Sequence, residues 1–165
     1  MLFLRGLAEN PMDQTQHVTA VLRLARREDQ GAVMELVRSA GLPTSGIEIG
    51  LAEFVVAEHA GRIVGVAGLE TYGTDGLLRS VAVADDWRGR GLGGALTRWI
   101  LEAARRQGIT DLYLLTETAA DFFARFGFRP VPREDASEAI RASGEFREVC
   151  PVSATLMVRP VAAAA

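Results

Sequence analysis

The feature that most constrains the fold is a run of three apolar segments joined by very short turns. Residues 54–57 read Phe-Val-Val-Ala and residues 63–69 read Ile-Val-Gly-Val-Ala-Gly-Leu, and the intervening Ala-Gly-Arg at 60–62 is typical of a tight turn. A second turn at residues 72–76 leads into a third apolar segment at 77–83. Because connections this short join only antiparallel neighbours, we predict an antiparallel meander in the centre of the chain.

Helical periodicity surrounds this meander. Apolar residues recur at helical spacing in three segments that each end at a glycine, so we predict helices at residues 28–40, 91–107 and 119–126. The first apolar stripe comprises Ala32, Val33, Leu36 and Val37, and the second comprises Leu92, Ala95, Leu96, Trp99, Ile100 and Ala103. Further strands are predicted at residues 21–26, 112–116, 128–131 and 152–158, with a weaker helical pattern at 137–142. This order predicts an α/β protein with one mixed sheet of about seven strands and helices on its faces.

The length, net charge and composition of the chain limit the classes of protein to which it can belong. At 165 residues the chain has room for one domain, which we place at residues 18–160, between a flexible lead-in at 1–17 and a flexible tail at 161–165. The net charge of −3 gives no basic field that favours nucleic acid or an anionic membrane as a partner. The single cysteine, Cys150, excludes an intrachain disulfide, and with only two histidines we expect no metal site. Because no stretch of about 18 apolar residues occurs, we expect a cytoplasmic protein.

The most informative segment is rich in glycine and lies between the strand at 77–83 and the helix at 91–107. Residues 85–94 read Asp-Asp-Trp-Arg-Gly-Arg-Gly-Leu-Gly-Gly. Glycines let backbone N–H groups approach a ligand closely, and the N-terminus of a helix carries partial positive charge. Arg88 and Arg90 add full charges, so the expected ligand is a phosphate or a pyrophosphate.

Two kinds of nucleotide site use such a loop. Gly89, Gly91 and Gly94 match the dinucleotide fingerprint G-x-G-x-x-G, although a polar link separates them from the preceding strand and antiparallel strands come before it. Arg88, Gly91 and Gly93 match R-x-x-G-x-G more sharply. With the strand that precedes it, this segment resembles the acyl-coenzyme A loop of the GNAT superfamily of N-acetyltransferases.

A second segment supports this resemblance. Residues 126–129, Phe-Gly-Phe-Arg, follow a strand and a short helix, as the Gly-Phe segment of that superfamily does. The resemblance extends over most of the chain, from Val21 to Met157, and includes the order of the elements. It implies a GNAT-like mixed sheet that splays at the acyl-coenzyme A site.

The chain also resembles two branches of the superfamily. Similarity to the arsenic-resistance N-acetyltransferases lies at residues 68–70, 76–80, 114–116 and 150–154. Similarity to the acetyltransferase domain of N-acetylglutamate synthases lies at residues 114–116 and at Phe122-Phe123. Both resemblances imply that the acceptor is a small amino acid or an analogue, such as one that carries arsenic.

The resemblance to the superfamily implies how acetyl-CoA, the expected co-substrate, is held. Pantetheine would lie between the two splayed strands, with its amides hydrogen-bonded to the backbone of Val81 and Val83. Residues 88–94 would wrap the pyrophosphate. The implied cofactor-binding residues are Val81, Ala82, Val83, Arg88, Gly89, Arg90, Gly91, Leu92, Gly93 and Gly94.

The expected chemistry is direct attack of an amine on a thioester, which needs a neutral amine and a donor that stabilises the developing oxyanion. We assign the proton acceptor to Glu70 at the end of the third strand, with Glu117 as a second candidate and a water chain to bulk solvent as an alternative. Many members of the superfamily have a tyrosine as general acid where this chain has Phe123. A thiolate leaving group, with an ordinary pKa near 8.5, departs at neutral pH without concerted protonation.

Arg79 interrupts an apolar strand and therefore needs an anionic partner. The partner is either internal, such as Glu70 on the neighbouring strand, or the carboxylate of the acceptor. Because residues i and i+2 share a face, Arg79 should lie on the same side as Val81 and Val83 unless a bulge intervenes. Further candidates for the acceptor pocket are Ser80, Arg133 and Ser153.

The function that these observations predict is transfer of an acetyl group from acetyl-CoA to a small amino-acid-like amine, including an arsenic-bearing one in a detoxification role. Two alternatives stay open. One is a non-catalytic, regulatory module that binds acetyl-CoA, and the other is a dinucleotide-dependent oxidoreductase that uses Gly89–Gly94. The expected partner is a small molecule, and a homodimer is left open.

Overall fold

The computed structural model describes residues 19–49, 53–149 and 152–162, so the predicted lead-in at 1–17, Cys150 and the end of the predicted tail lie outside the described residues. The strands within these ranges are β1 (Val21–Leu24), β2 (Glu53–His59), β3 (Arg62–Tyr72), β4 (Asp75–Val83), β5 (Asp111–Thr116), β6 (Arg129–Val131) and β7 (Thr155–Pro160). The α-helices are α1 (Gln30–Ser39), α2 (Leu92–Arg106), α3 (Ala120–Ala124) and α4 (Glu138–Arg141). In the described part of the chain, no helix is long and apolar enough to cross a membrane.

The strands form one mixed sheet in the order β1-β2-β3-β4-β5-β7-β6. Strands β1 to β4 are antiparallel neighbours, β4 and β5 are parallel, and β7 lies antiparallel between β5 and β6. The parallel pair is connected by α2, as expected because two parallel neighbours need a long crossover. The predicted meander, the predicted order of elements and the mixed sheet are confirmed.

The two parallel strands part after a short stretch of pairing. β4 pairs with β5 only as far as Leu77, which is opposite Tyr113. β4 then continues to Val83, while β5 continues to Thr116 with β7 as its partner on the other side. A wedge-shaped gap therefore opens between the C-terminal halves of β4 and β5, and this is the splay that the resemblance implied.

A β-bulge interrupts β4 beside this gap. Ser80 and Val81 together oppose the single residue Ala67 on β3, and Ser80 has a φ of +57°, in the left-handed region that a non-glycine residue seldom adopts. The bulge breaks the alternation of faces along the strand. The expectation that Arg79 shares a face with Val81 and Val83 required a regular strand, and it therefore does not apply.

The first helix begins later than its periodicity predicts. Arg27–Asp29 form a 3₁₀ turn in which the Asp29 carboxylate accepts a hydrogen bond from the Arg26 backbone N–H at 2.7 Å. The same carboxylate accepts two hydrogen bonds from the Arg23 guanidinium, at 2.7 and 3.0 Å, and α1 begins after it. Of the predicted stripe, Ala32 is exposed, and the buried members are Val33, Leu36 and Val37.

The buried apolar side chains form two clusters. Helices α1 and α2 both pack against β3 and β4, and α4 packs against β4. In β5, Leu112 and Leu114 belong to the larger cluster, which includes the buried residues of α1 and α2, whereas Tyr113 belongs to the smaller cluster. The smaller cluster consists of Leu77, Tyr113, Ala136, Ile140, Leu156 and Val158. A buried sheet of this kind explains why β5 is almost continuously apolar.

The last strand begins at Thr155 and not at residue 152, where we predicted it. Residues 152–154 form a turn instead, because the Arg133 guanidinium donates hydrogen bonds to the carbonyl oxygens of Val152 at 3.3 Å and of Ala154 at 3.1 Å. These carbonyl groups are therefore held by a side chain and are not part of the sheet.

Substitutions at two glycines compare the packed interior of the sheet with the open surface of a helix. A Cβ on Gly68 would lie 2.6 Å from Cε1 of the buried Phe54 ring, whereas a Cβ on Gly31 in α1 would meet no atom within 4 Å. We expect Gly68→Ala to lower the free energy of unfolding by about 1–3 kcal/mol through overpacking. We expect Gly31→Ala to raise it by about 0.5 kcal/mol, because alanine favours the helix. Urea denaturation of both variants measures the difference, and shifts of the same sign would contradict it.

Candidate active site

The gap between β4 and β5 widens into a cleft of about 810 Å³. Its walls come from the C-terminal half of β4, the N-terminus of α2, the end of β5 with the start of α3, and the loop that follows α1. Leu78–Val83 line it along β4. Since β5 does not pair with β4 beyond Leu77, the edge of β4 in the cleft keeps backbone donors and acceptors for a ligand. An extended chain with amide groups fits there as an added strand does.

The N-terminus of α2 opens into the same cleft. Gly91 caps this helix with a φ of +78° and has no side chain to accept from the first turn, and the first backbone bond within the helix is donated by Ala95 to the Gly91 carbonyl at 3.1 Å. The backbone N–H groups of Leu92, Gly93 and Gly94 therefore precede the helical bonding pattern. Gly93 and Gly94 line the cleft, so the partial positive charge of a helix of 15 residues is directed into it.

The two arginines of the loop differ in their surroundings. The exposed Arg88 lines the cleft, with Nη2 3.3 Å from an Asp85 carboxylate oxygen and Nε donating to the Val83 carbonyl at 3.4 Å. The Arg90 guanidinium lies 4.8 Å from the centre of the Trp87 ring, and the ring of His59 lies 5.1 Å from the same Trp87. Trp87 itself is buried and lines the cleft. The loop thus combines open backbone with two cationic side chains.

At the other end of the cleft, Arg79 joins three segments of the chain. Its side chain is 3% exposed, and its guanidinium lies 2.6 Å from a Glu70 oxygen on β3 and 3.2 Å from Oε2 of Glu145. It also donates to the Ser45 carbonyl at 2.8 Å and to the Ser80 hydroxyl at 3.1 Å. Of the two partners considered from the sequence, the internal one, Glu70, is present. Glu145 is a second carboxylate that the sequence did not indicate.

These charges form a compact cluster in which two carboxylates face one guanidinium. The Tyr72 hydroxyl donates a hydrogen bond to the second oxygen of Glu70. Burial, reinforced by this hydrogen bond and by the charge of Glu70, raises the pKa of Tyr72 well above its usual value. Tyr72 therefore stays protonated at neutral pH and keeps the Glu70 carboxylate in place.

The carboxylates considered as proton acceptors occupy different positions. Glu70 is bonded to Arg79 and Tyr72 and does not line the cleft. Glu117 lines the cleft at the end of β5, is exposed, and accepts a hydrogen bond from the Ser153 hydroxyl at 3.2 Å. Glu145 lines the cleft and is buried. Sequence reasoning missed it because residues 145–149 form one π-helical turn, which leaves neither a helical nor a strand-like pattern.

Of the other residues predicted to bind the acceptor substrate, one lines the cleft and two do not. Ser80 lines the cleft from the bulge. Ser153 reaches it through Glu117. Arg133 does not line it, since its guanidinium stacks 4.7 Å from the centre of the Phe146 ring and bonds the carbonyls of the 152–154 turn. Arg133 therefore positions the turn that carries Ser153.

Phe123 lines the cleft where many members of the superfamily have a tyrosine. Its ring is buried and packs edge-on against Phe122 at 5.0 Å and Phe128 at 5.9 Å between ring centres. The nearby Thr116 hydroxyl accepts a hydrogen bond from the Ala119 backbone N–H at 3.0 Å. The position of Phe123 is thus apolar and supplies no acid.

A mixed sheet whose parallel pair splays beside a glycine-capped helix is the architecture that the resemblance to the GNAT superfamily implied. A family model described as an acetyltransferase (GNAT) domain matches residues 50–130. An amino-acid acetyltransferase of Mycobacterium tuberculosis is 35% identical over 136 residues, which cover 76% of this chain and 75% of that protein. The chain belongs to the GNAT acetyltransferase family. This assignment confirms the predicted resemblance. It therefore favours an acyl-coenzyme A loop over the dinucleotide site of an oxidoreductase as the interpretation of the glycine loop.

Other relatives are longer than this chain. An amino-acid acetyltransferase of Aeromonas salmonicida is 30% identical over 124 residues, which cover 68% of this chain and 28% of that protein. The chain thus spans between a quarter and a third of the length of this relative. An amino-acid acetyltransferase of Pseudomonas putida is 32% identical over 140 residues, which cover 78% of this chain and 32% of that protein.

Solved structures show the same fold. A Mycobacterium tuberculosis protein in complex with CoA superposes with a TM-score of 0.73 and 26% identity, over 86% of this chain and 99% of that one. The N-acetylglutamate synthase from Neisseria gonorrhoeae, complexed with coenzyme A and N-acetyl-glutamate, superposes with a TM-score of 0.75 and 23% identity. That match covers 87% of this chain and 35% of the synthase chain. The second likeness concerns the fold alone.

The glycine at the second position of α2 tests the predicted pyrophosphate site. A Cβ on Gly93 would lie 3.4 Å from Phe122 and 3.8 Å from Val83, both of which line the cleft. We expect Gly93→Val to raise the Kd for acetyl-CoA by about tenfold or more, because the side chain occupies space at the helix N-terminus that the ligand needs. Isothermal titration calorimetry measures this affinity.

Gly31→Val is the matched control, since Gly31 is also the second residue of a helix and has open space around it. It carries the same change in helix propensity without touching the cleft. Equal acetyl-CoA affinity in the two folded variants would show that the ligand does not bind at the N-terminus of α2.

Proposed function

We propose that this chain transfers the acetyl group of acetyl-CoA to the amine of a small amino-acid-like molecule. The observation that carries the proposal is that one cleft combines the unpaired edge of β4 and the N-terminus of α2 at one end with the buried charges of Arg79 and Glu145 at the other. The names of the relatives, which are amino-acid acetyltransferases, support the same acceptor class.

The acetyl donor fits the first of these ends. The pantetheine amides would bond the edge of β4 at Val81 and Val83, with Ala82 between them, and the pyrophosphate would lie against residues 91–94. Arg88 and Arg90 would add charge, and Gly89 would let the loop turn without a side chain in the way. When bound, acetyl-CoA supplies a thioester carbonyl carbon that an amine attacks.

The bulge in β4 fits the electrostatic demand of that reaction. Ser80 and Val81 are out of register with β3, and β5 does not pair with this part of β4. Backbone N–H groups at the bulge can therefore donate to the thioester oxygen, where negative charge develops as the nitrogen–carbon bond forms. The carbon–sulfur bond breaks, and the thiolate leaves without an acid, in agreement with Phe123.

We assign the proton acceptor to Glu145, ahead of Glu117 and Glu70. Glu145 is buried, lines the cleft and touches Arg79 next to the bulge, whereas Glu70 is held by Arg79 and Tyr72 away from the cleft. The proton of the acceptor ammonium passes to this carboxylate before attack. Glu117, which accepts from Ser153, is the second candidate.

The acceptor class follows from the pairing of opposite charges. The α-ammonium and α-carboxylate of an amino acid are complementary to Glu145 and Arg79, which lie side by side in the cleft wall. The contact of Arg79 with Glu145, at 3.2 Å, is longer than its contact with Glu70, so its guanidinium can also donate a hydrogen bond to an incoming carboxylate there. Ser80 and Ser153 would complete the pocket, with Arg133 holding the turn.

An arsenic-bearing analogue of glutamate is the finer proposal for the acceptor. It is supported by the similarity of residues 76–80 and 150–154 to the arsenic-resistance branch, which includes Arg79 and Ser80. Such an analogue keeps the α-amino acid group and differs only in the anion on its side chain.

The direct test is release of free thiol from acetyl-CoA in the presence of a panel of acceptors. The panel contains glutamate, its arsenical and phosphinate analogues, other amino acids, and simple amines without a carboxylate. We expect turnover with amino acids or these analogues and at least about tenfold lower kcat/KM for the amines that lack a carboxylate, because the pairing with Arg79 is lost. Tight acetyl-CoA binding without thiol release for any acceptor would favour a regulatory, non-catalytic module.

Two variants separate the roles of the charged cluster. Glu145→Gln should lower kcat by about a hundredfold, the scale of general base catalysis, with little change in the Kd for acetyl-CoA. Arg79→Ala should raise the KM of the acceptor more than it lowers kcat. Steady-state kinetics with the best acceptor of the panel measures both.

Glu138→Gln, in an exposed residue of α4, is the control for removal of one carboxylate. Normal kcat in a folded Glu145→Gln enzyme would exclude Glu145 as the base, and the same measurement on Glu117→Gln would then decide for the second candidate. Normal acceptor kinetics in Arg79→Ala would show that Arg79 serves only the internal cluster.

A further inference from the structure

A second concave surface lies between α2, the end of α3 and the end of β7. It encloses about 510 Å³, a size typical of small-molecule sites. Four of the residues that line it are arginines, and we call it the arginine groove: Arg98, Arg105, Arg125 and Arg159. Its floor is apolar and includes Leu101, Phe126 and Val161.

The charge of this groove is largely uncompensated. Among the described residues that line it, Glu102 is the one acidic side chain, and it accepts hydrogen bonds from Arg105 at 2.7 and 3.0 Å. Within the described ranges, Arg98, Arg125 and Arg159 form no ion pair with a carboxylate. Three arginine side chains without a carboxylate partner in the described ranges thus line one concave surface in a chain whose net charge is −3. A concave site lined by one sign of charge concentrates ions of the opposite sign.

Each of these guanidinium groups has an aromatic or backbone neighbour. Arg98 lies over the Phe126 ring, 5.8 Å from its centre, and Arg125 lies over Phe122 at 5.2 Å. The Arg159 side chain crosses the backbone of Gly127, where an added Cβ would be 3.3 Å from its Nε. The three arginines come from α2, from the residue that follows α3 and from β7, and each offers planar donor pairs for carboxylate or phosphate oxygens.

We propose that the arginine groove binds a small polyanion that carries at least two phosphate or carboxylate groups. A single anionic group would leave at least one of the three guanidinium groups without a counter-charge. The net negative charge of the chain and the concave shape of the groove favour a small molecule over nucleic acid or a membrane surface. The proposal does not depend on the identity of the acceptor.

The groove is distinct from the acetyl-CoA cleft, although Arg125 lines both. Arg98 and Arg159 line the groove and do not line the cleft, so their substitution tests the groove. Arg106 lies on the same helix as Arg98, is exposed, and stacks on Trp99 at 5.8 Å without lining the groove. It is therefore the matched control for loss of one positive charge.

The test uses the full chain saturated with CoA, so that the cleft is filled. Citrate and inorganic pyrophosphate are titrated separately, and binding is followed by calorimetry and by the nitrogen chemical shifts of the arginine Nε–H groups. We expect saturable binding of at least one probe with a Kd below about 1 mM. Preference for citrate or for pyrophosphate supports the proposal in either case and distinguishes a carboxylate ligand from a phosphate ligand.

The variants decide whether this binding is specific. Arg98→Gln and Arg159→Gln should each weaken binding of the probe by about tenfold, and Arg106→Gln by less than about twofold. Equal weakening by all three, or no saturation up to about 10 mM of either probe, would overturn the proposal. A loss of CoA affinity in Arg98→Gln or Arg159→Gln would also overturn it, since the groove would then belong to the cofactor site.

Discussion

The separation of β4 from β5 beyond Leu77 is the constraint on which the rest of the site depends. Within a sheet, backbone N–H and carbonyl groups are satisfied by the neighbouring strand, and leaving them unpaired in a buried place is costly. Here β5 finds its partner in β7, while the facing edge of β4 keeps its donors and acceptors for a ligand. Since α2 is the crossover between these two strands, its N-terminus necessarily lies at the same end of the gap. Strand separation and helix dipole thus arise from one topological feature.

The bulge at Ser80 and Val81 is the second departure from a regular sheet, and it lies directly after Arg79. Before the bulge the register is regular, with Leu77 opposite Glu70 and Arg79 opposite Gly68, so Arg79 lies on the same face as Glu70. Its guanidinium also contacts Glu145 and the Ser45 carbonyl, on two further segments. A buried arginine is tolerated only with such partners, and removal of one partner would leave a buried charge uncompensated. The acceptor end of the cleft is therefore held together by the charge of Arg79.

Local patterns in the sequence predicted most of the fold and the glycine loop that forms one wall of the candidate cleft. The meander, α2 and the glycine loop follow from short-range periodicity and turn residues, which a single sequence displays directly. The bulge left no such signal, because Ser80 is not a glycine and yet has a positive φ. Glu145 was missed for a related reason, since a single π-helical turn has no periodic pattern to recognise. The pairing of Arg79 with Glu70 was one of two alternatives, because a sequence shows that a buried charge needs a partner but not which one.

Arginine is the basic residue throughout this chain, which contains no lysine, and its surroundings distinguish its roles. Arg23 and Arg79 each face two carboxylates and are largely buried, so their charges serve the fold and the cleft wall. Arg88 and Arg90 lie exposed beside an open helix N-terminus, where a bound anion would add to their interactions. Arg98, Arg125 and Arg159 have aromatic and backbone neighbours but lack carboxylate partners in the described part of the chain. Because no carboxylate neutralises them, their attraction for an anion is retained, which is the physical difference between an arginine that stabilises a fold and one that can bind a ligand.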